Sequence, residues 1–309
     1  MVEEYHQSGR TPILGVLLLA LASIVGGSAI GLVVFGISNF VYLIVLFPVA
    51  IAIIGIFTIA AAVVKGKVRN PLIATLFGLI MGLSIYGAFH IANYYRFSNL
   101  LFQSISSSIP PADLPYVDRM ATVSHLLERA TGSPGLLGYL KLTAEDGISI
   151  TSIYASQSSG ITISGIAVYL YWLVEAIIIV GSTTYAGRNS GATPFCEECD
   201  AWYGAAEHYG NVHSHQAAIF IELLRQDRLR EASELVAHED DIAPPNLEVR
   251  IRSCRRATST QALMDLKKTI QGRENRVKRK DLVKLLIPEQ TKQLFDRREE
   301  APRSTTASA

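Results

Sequence analysis

Four apolar stretches, residues 13–34, 41–64, 72–92 and 163–184, carry one formal charge between them, the carboxylate of Glu175. A helix rises about 1.5 Å per residue, so each stretch is long enough to cross a hydrocarbon core of about 30 Å. Within that core a single segment satisfies its own backbone only as a helix. The expected fold class is a membrane α-helical protein: a four-span helical bundle with an extracytoplasmic loop domain and a small α+β cytoplasmic tail domain. The positive mean hydropathy, +0.28, agrees.

Charge is segregated along the chain. Residues 1–186 contain eight basic and eight acidic side chains, whereas the remainder contains twenty and nineteen, an ordinary soluble composition. The expected domains are residues 1–95 (an N-terminal segment and the first three spans), 96–160 (the loop domain), 161–186 (the fourth span), 187–298 (the tail domain) and 299–309 (a disordered tail). Ala20-Leu21-Ala22 has the look of a signal-peptidase site. Glu3 and Glu4 against a single Arg10 make a poor basic leader, however, and the apolar run continues past Ala22, so a retained first span is expected.

Orientation follows from cations in short loops. The segment from Lys65 through Lys67 to Arg69 has three cations and no anion, which assigns it to the cytoplasm; the turn around residues 36–39 has no charge and is assigned outside. Both termini are then cytoplasmic, and a plasma or inner membrane is the expected location. Gly27/Gly31 and Gly78/Gly82 are G-x-x-x-G pairs that let helix backbones approach closely, and packing within one bundle is expected over a homo-oligomer face.

Two polar side chains interrupt the spans. A carboxylate such as Glu175 is costly in lipid unless paired or wetted, so it is a functional candidate by default. The bland alternative is a hydrogen-bonded Glu that fixes helix packing. His90 lies nearer the outer end of the third run, and direct pairing with Glu175 is not expected.

In the outer loop, Val117, Met120, Val123, Leu126 and Leu127 recur at helical spacing, and residues 131–135, rich in Gly and Pro, end that stretch. Residues 136–142 suit either a short helix or a strand. The balanced charge here argues against nucleic acid as a partner. A short first outer turn followed by a large second loop is similar to the layout of tetraspanins, whose large-loop cysteine pattern this chain lacks.

All three cysteines lie in the tail. Cys196-Glu197-Glu198-Cys199 places two thiols on a tight turn followed by the aromatic Trp202, and residues 246–253 alternate Leu247, Val249 and Ile251 with Glu248, Arg250 and Arg252 before reaching Cys254. This pattern resembles two knuckles of a zinc ribbon, with Ala257 at the position of the fourth ligand. The resemblance implies zinc as cofactor. Histidine could complete a tetrahedral site in two ways. One uses Cys196 and Cys199 with His208 and His213; the favoured one uses Cys196, Cys199, Cys254 and His213. A redox role fits less well, because Glu197 and Glu198 put like charge beside any thiolate and no βαβ pattern surrounds the motif.

Residues 216–236 read as one bent helix or a helical hairpin broken near Gln226-Asp227. Residues 261–270 suit a strand or a helix, and residues 281–287 and 289–295 read as short helices around Pro288. The cations among residues 273–280 are expected to form a solvated face. No nucleotide loop, paired carboxylates or His-Glu-x-x-His is present, so the expected role is non-enzymatic, with no catalytic residue assigned. The expectation is an adaptor or sensor whose metal-organised tail docks a cytoplasmic protein; the alternative is a small oligomeric channel or proton-linked carrier using Glu175.

Overall fold

The computed structural model describes residues 2–38, 46–106, 118–150, 161–237, 244–254, 260–271 and 277–295. The chain divides into two compact units. One spans residues 9–192; the other joins residues 1–8, which contain the short strand β1 (Glu3–Glu4), to residues 193–309.

The first unit is built on four helices that are long and apolar enough to cross a membrane: α1 (Ile13–Ser38), α2 (Leu46–Lys65), α3 (Pro71–Ser106) and α6 (Ile166–Gly191). Their outer faces are as apolar as their packed ones. Leu17, Ile24 and Val33 on α1, Ile53 and Phe57 on α2, Leu79 and Leu83 on α3, and Leu173 and Ile177 on α6 all stand exposed, whereas a helix of a soluble bundle turns a polar face outward. Inside, Leu19, Ile59, Met81, Ile85 and Ile179 form a continuous core.

Both G-x-x-x-G pairs serve this packing. A Cβ on Gly31 would lie 2.4 Å from the Ile85 carbonyl oxygen, and one on Gly78 would lie 2.5 Å from that of Thr183. Only a hydrogen fits in either place. The close approach of α1 to α3 also lets the buried Ser23 hydroxyl donate to the Phe77 carbonyl at 2.9 Å. Short π-helical segments interrupt α1 at Ala22–Gly26 and α6 at Ile177–Gly181.

Helix α3 begins where Asn70 Oδ1 accepts from the Leu72 and Ile73 amides, with Pro71 in the first turn, where its missing N–H costs nothing. It continues for 36 residues, about 54 Å, well beyond a hydrocarbon core. The loop region expected to start at residue 96 therefore begins as helix. Tyr94, Phe97, Leu101 and Phe102 on this extension pack with α4 (Arg119–Thr131) and α5 (Gly135–Asp146) through Val123, Leu127 and Tyr139. Asp118 caps α4, and Gly132 ends it at φ +70°. Residues 136–142 lie within α5 and are helical. Strands β2 (Ile148–Ile150) and β3 (Ile161–Ile163) pair antiparallel after the cap. Val117 and the Pro110-Pro111 pair lie outside the described residues.

The second unit opens with the hairpin of β4 (Phe195–Cys196) and β5 (Ala201–Trp202). An antiparallel meander follows: β6 (Glu207–His213), β7 (Asn246–Arg252), β8 (Gln261–Gln271) and β9 (Val277–Pro288), with β1 on the edge of β9. Residues 281–287, expected to be helical, belong to β9. The alternation of buried Leu285 and Ile287 with Leu286 on the other face is a strand period, which Pro288 and the surrounding lysines obscured. Helices α7 (Ala217–Arg225) and α8 (Leu229–Glu234) form the expected hairpin, broken at Asp227, which takes φ +60°. Phe220 and Leu224 on α7 and Phe295 on α9 (Lys292–Phe295) pack against Val249, Ile251, Met264 and Ile287 on one sheet face.

The opposite face of the sheet carries a polar region beside Leu263 and Leu286. Arg252 Nε reaches Asp265 at 2.6 Å, and Glu248 is approached by Arg279 at 3.0 Å and His208 at 3.5 Å. Asp265 is only 2% exposed.

Candidate metal centre

The β4–β5 hairpin turns through Glu197–Asp200, and Asp200 takes φ +49°, a left-handed conformation that closes a tight turn. That turn brings the Cys196 and Cys199 sulfurs to 3.1 Å. Cys254 arrives from the end of β7 through an antiparallel bridge to Tyr203, just past β5. The three sulfurs lie within 4.8 Å of one another. Ligands 2.3 Å from a tetrahedral zinc stand about 3.8 Å apart, so this spacing brackets that of a thiolate metal site. Among the described residues, these three are the histidine, cysteine or carboxylate donors that converge on a point.

The surroundings are apolar and built by sheet alternation. Leu263 and Leu286 face the cysteines because their neighbours Ala262, Met264, Leu285 and Ile287 face the core. Cys196 and Cys199 are 2% and 6% exposed, and Cys254 is half-buried. Tyr5, just after β1, crosses the hairpin: its hydroxyl accepts from the Phe195 amide at 3.0 Å and donates to the Phe195 carbonyl at 3.4 Å, while its ring meets Tyr203 edge-on at 6.4 Å. Burial pushes the Tyr203 hydroxyl well above its ordinary range, and the nearby groups of Cys196, Tyr5 and Cys254 act in the same direction. The Glu198 carboxylate accepts from the Thr260 hydroxyl at 2.9 Å, fastening the turn to the start of β8.

The structure does not bring His213 to the thiols. Residues 207–213 form strand β6, in which His213 pairs with Asn246. Cys254 lies eight residues further along from Asn246, about 26 Å at a strand's rise. The His213 ring stacks on His215 at 5.4 Å, and His208 meets Glu248. Ala257 lies outside the described residues.

Of the two polar positions in the long helices, Glu175 is 5% exposed and accepts a 2.5 Å hydrogen bond from the Tyr171 hydroxyl one turn earlier. It borders a cavity of about 10 Å³ with Phe47, Ile51, Tyr86 and Phe89, space for a single water. His90 stands beyond Tyr86: their rings are 4.4 Å apart, and the Tyr86 hydroxyl donates to the Trp172 carbonyl at 3.0 Å. The His90 Nε2 is buried without a hydrogen-bond partner. Sequence reasoning missed Tyr171, although its position four residues before Glu175 puts both on one helix face. It also missed Tyr5, 190 residues from the hairpin it covers.

No family model matches this chain, and no curated protein or solved structure matches it either.

Proposed function

We propose that this chain is a four-pass integral membrane protein acting as a non-enzymatic adaptor or sensor, with a zinc-organised, zinc-ribbon-like tail that docks a cytoplasmic protein. The observation that carries the reading is the convergence of Cys196, Cys199 and Cys254 from two separate strands. An ion at that point would tie the hairpin, the β7 end and the N-terminal strap into one rigid surface, because binding to the folded arrangement alone adds to its stability. The apolar outer faces of the four long helices support the membrane location. The pairing of Glu3 with Leu286 supports a topology with these two residues on one side of a membrane, which an even number of spans between them satisfies. The three cations from Lys65 to Arg69 favour the cytoplasmic side.

The test is metal content of the full chain in detergent beside its Cys196→Ser and Cys254→Ser forms, followed by capture of cytoplasmic proteins by each. About one zinc per chain, lost with the captured protein in both variants, supports the reading. Equal capture by metal-free variants refutes metal-organised docking.

A second reading, a small oligomeric channel or proton-linked carrier, is favoured by one arrangement: buried Glu175 with Tyr171, facing a cavity that Tyr86 shares. Flux in liposomes that survives Glu175→Gln removes it.

A further inference from the structure

Helices α1 and α3 touch where their facing residues are small. A Cβ on Gly31 would lie 2.4 Å from the Ile85 carbonyl oxygen and 2.9 Å from the Ala88 Cβ. One turn farther along, at Phe35 on α1 and Ala92 on α3, the space between the helices opens into a groove of about 440 Å³, a volume within the range of small-molecule sites. Leu32, Phe35 and Ala92 form an apolar wall, and Tyr95, Arg96 and Asn99 bring polar groups to the same groove.

This inference rests on the membrane reading above, which sets the height of the groove. Helix α3 starts beside the Lys65–Arg69 loop, and Ala92 lies about 30 Å along its axis from Leu72, the thickness of a hydrocarbon core. Arg96 stands one turn, about 6 Å, farther out, at the level of the headgroups. Tyr95, 49% exposed, suits that level as well. Helix α1 gives the same height independently, because Leu32 lies about 29 Å along the axis from Ile13.

Charge selects the occupant. Arg96 is exposed and is the charged residue among the described walls of the groove. A guanidinium presents paired N–H donors that match phosphate oxygens, and the Asn99 amide offers a further donor. A zwitterionic headgroup brings an ammonium that this cation repels, whereas a headgroup of net negative charge does not. The apolar wall takes the upper part of an acyl chain, which covers Leu32, 53% exposed. We infer that the groove binds one anionic glycerophospholipid, with its phosphate on Arg96 and its acyl chain against Leu32, Phe35 and Ala92.

The full chain in mild detergent is titrated with phosphatidylglycerol or with phosphatidylcholine of the same acyl chains, and native mass spectrometry counts the lipids retained. One phosphatidylglycerol per chain, held in preference to phosphatidylcholine, is the expected result. Arg96→Gln should lower its affinity about 5-fold, the effect of one cation at a membrane surface. Arg129→Gln, which removes an exposed cation of α4 that does not line the groove, should leave it unchanged. Ala92→Trp fills the apolar end without touching the cation and should also reduce retention. Equal loss in the two arginine variants, or equal retention of the two lipids, means unselective annular lipid and overturns the inference. Phosphatidylglycerol held as tightly by Ala92→Trp as by the parent places the lipid elsewhere and overturns it too. A chain that stays in solution without detergent overturns the membrane reading, and the inference with it; a detergent-dependent chain with unselective lipid overturns the inference alone.

Discussion

Tyr203 pairs with Cys254 across an antiparallel bridge and is buried in one cluster with Cys196, so one aromatic residue joins the two strands that carry the thiols. Polar groups beside metal ligands orient them and tune their basicity. Tyr203→Phe keeps the ring and removes the hydroxyl. The expected outcome is metal affinity lowered about 10-fold or more, with stoichiometry unchanged, as measured by competition with a chromophoric chelator.

Gly78 has no room for a side chain against Thr183. Gly78→Leu forces α3 and α6 apart, and overpacking of this kind costs about 1–3 kcal/mol or more. Gly87→Leu, on the same helix but with nothing within 4 Å of its Cβ position, is the control. Unfolding in detergent with increasing denaturant should separate the two variants; equal midpoints would contradict the close approach.

Arg252 compensates the buried carboxylate of Asp265. Arg252→Leu leaves that charge unpaired, and the tail should lose about 3 kcal/mol of stability. Asp265→Asn in the same background should restore part of it. A loss that the second substitution deepens would show that the pair is not the relevant interaction.

Lys292 holds Glu207, the two standing 3.1 Å apart. The hydrogen bond from Lys292 is the main cause of a Glu207 carboxyl held below its ordinary range; slight burial opposes this, and the Lys292 charge and the Tyr209 hydroxyl add to it. A carboxyl with a lowered folded-state pKa contributes stability that is fully present above its unfolded pKa and lost as pH falls through the folded one. The docking of α9 on β6 should therefore weaken on acidification. Glu207→Gln should flatten that portion of the tail's denaturation midpoint against pH. The group is exposed, so the change will be small.

The four long helices were legible because length and apolarity are local properties, and residues 13–34 need no partner to declare themselves. The cap was partly legible. Helical spacing from Met120 to Leu127 marked α4, but the continuation of α3 to Ser106 was hidden by the polar residues Asn93, Arg96 and Asn99, which a helix outside lipid tolerates. The cysteine cluster was readable from the C-x-x-C turn and the alternation leading to Cys254. The histidine expected to join it, His213, does not, because proximity in sequence says little once residues 207–213 become a strand carrying His213 away. Tyr5 illustrates the limit in the other direction: a side chain at one end of the chain covers a hairpin formed much later, and no local pattern reports it.

The short strand β1 also fixes an order of events. Glu3 and Glu4 are synthesised well before their partners Leu286 and Leu285, with all four long helices in between. The sheet edge stays incomplete until the intervening helices have been made. Under the proposed four-pass topology, an odd number of crossings would leave β1 on the wrong side, with the β9 edge bare and open to adventitious strand pairing. Closing that edge finishes the sheet, and the same two residues deliver Tyr5 to the cysteines.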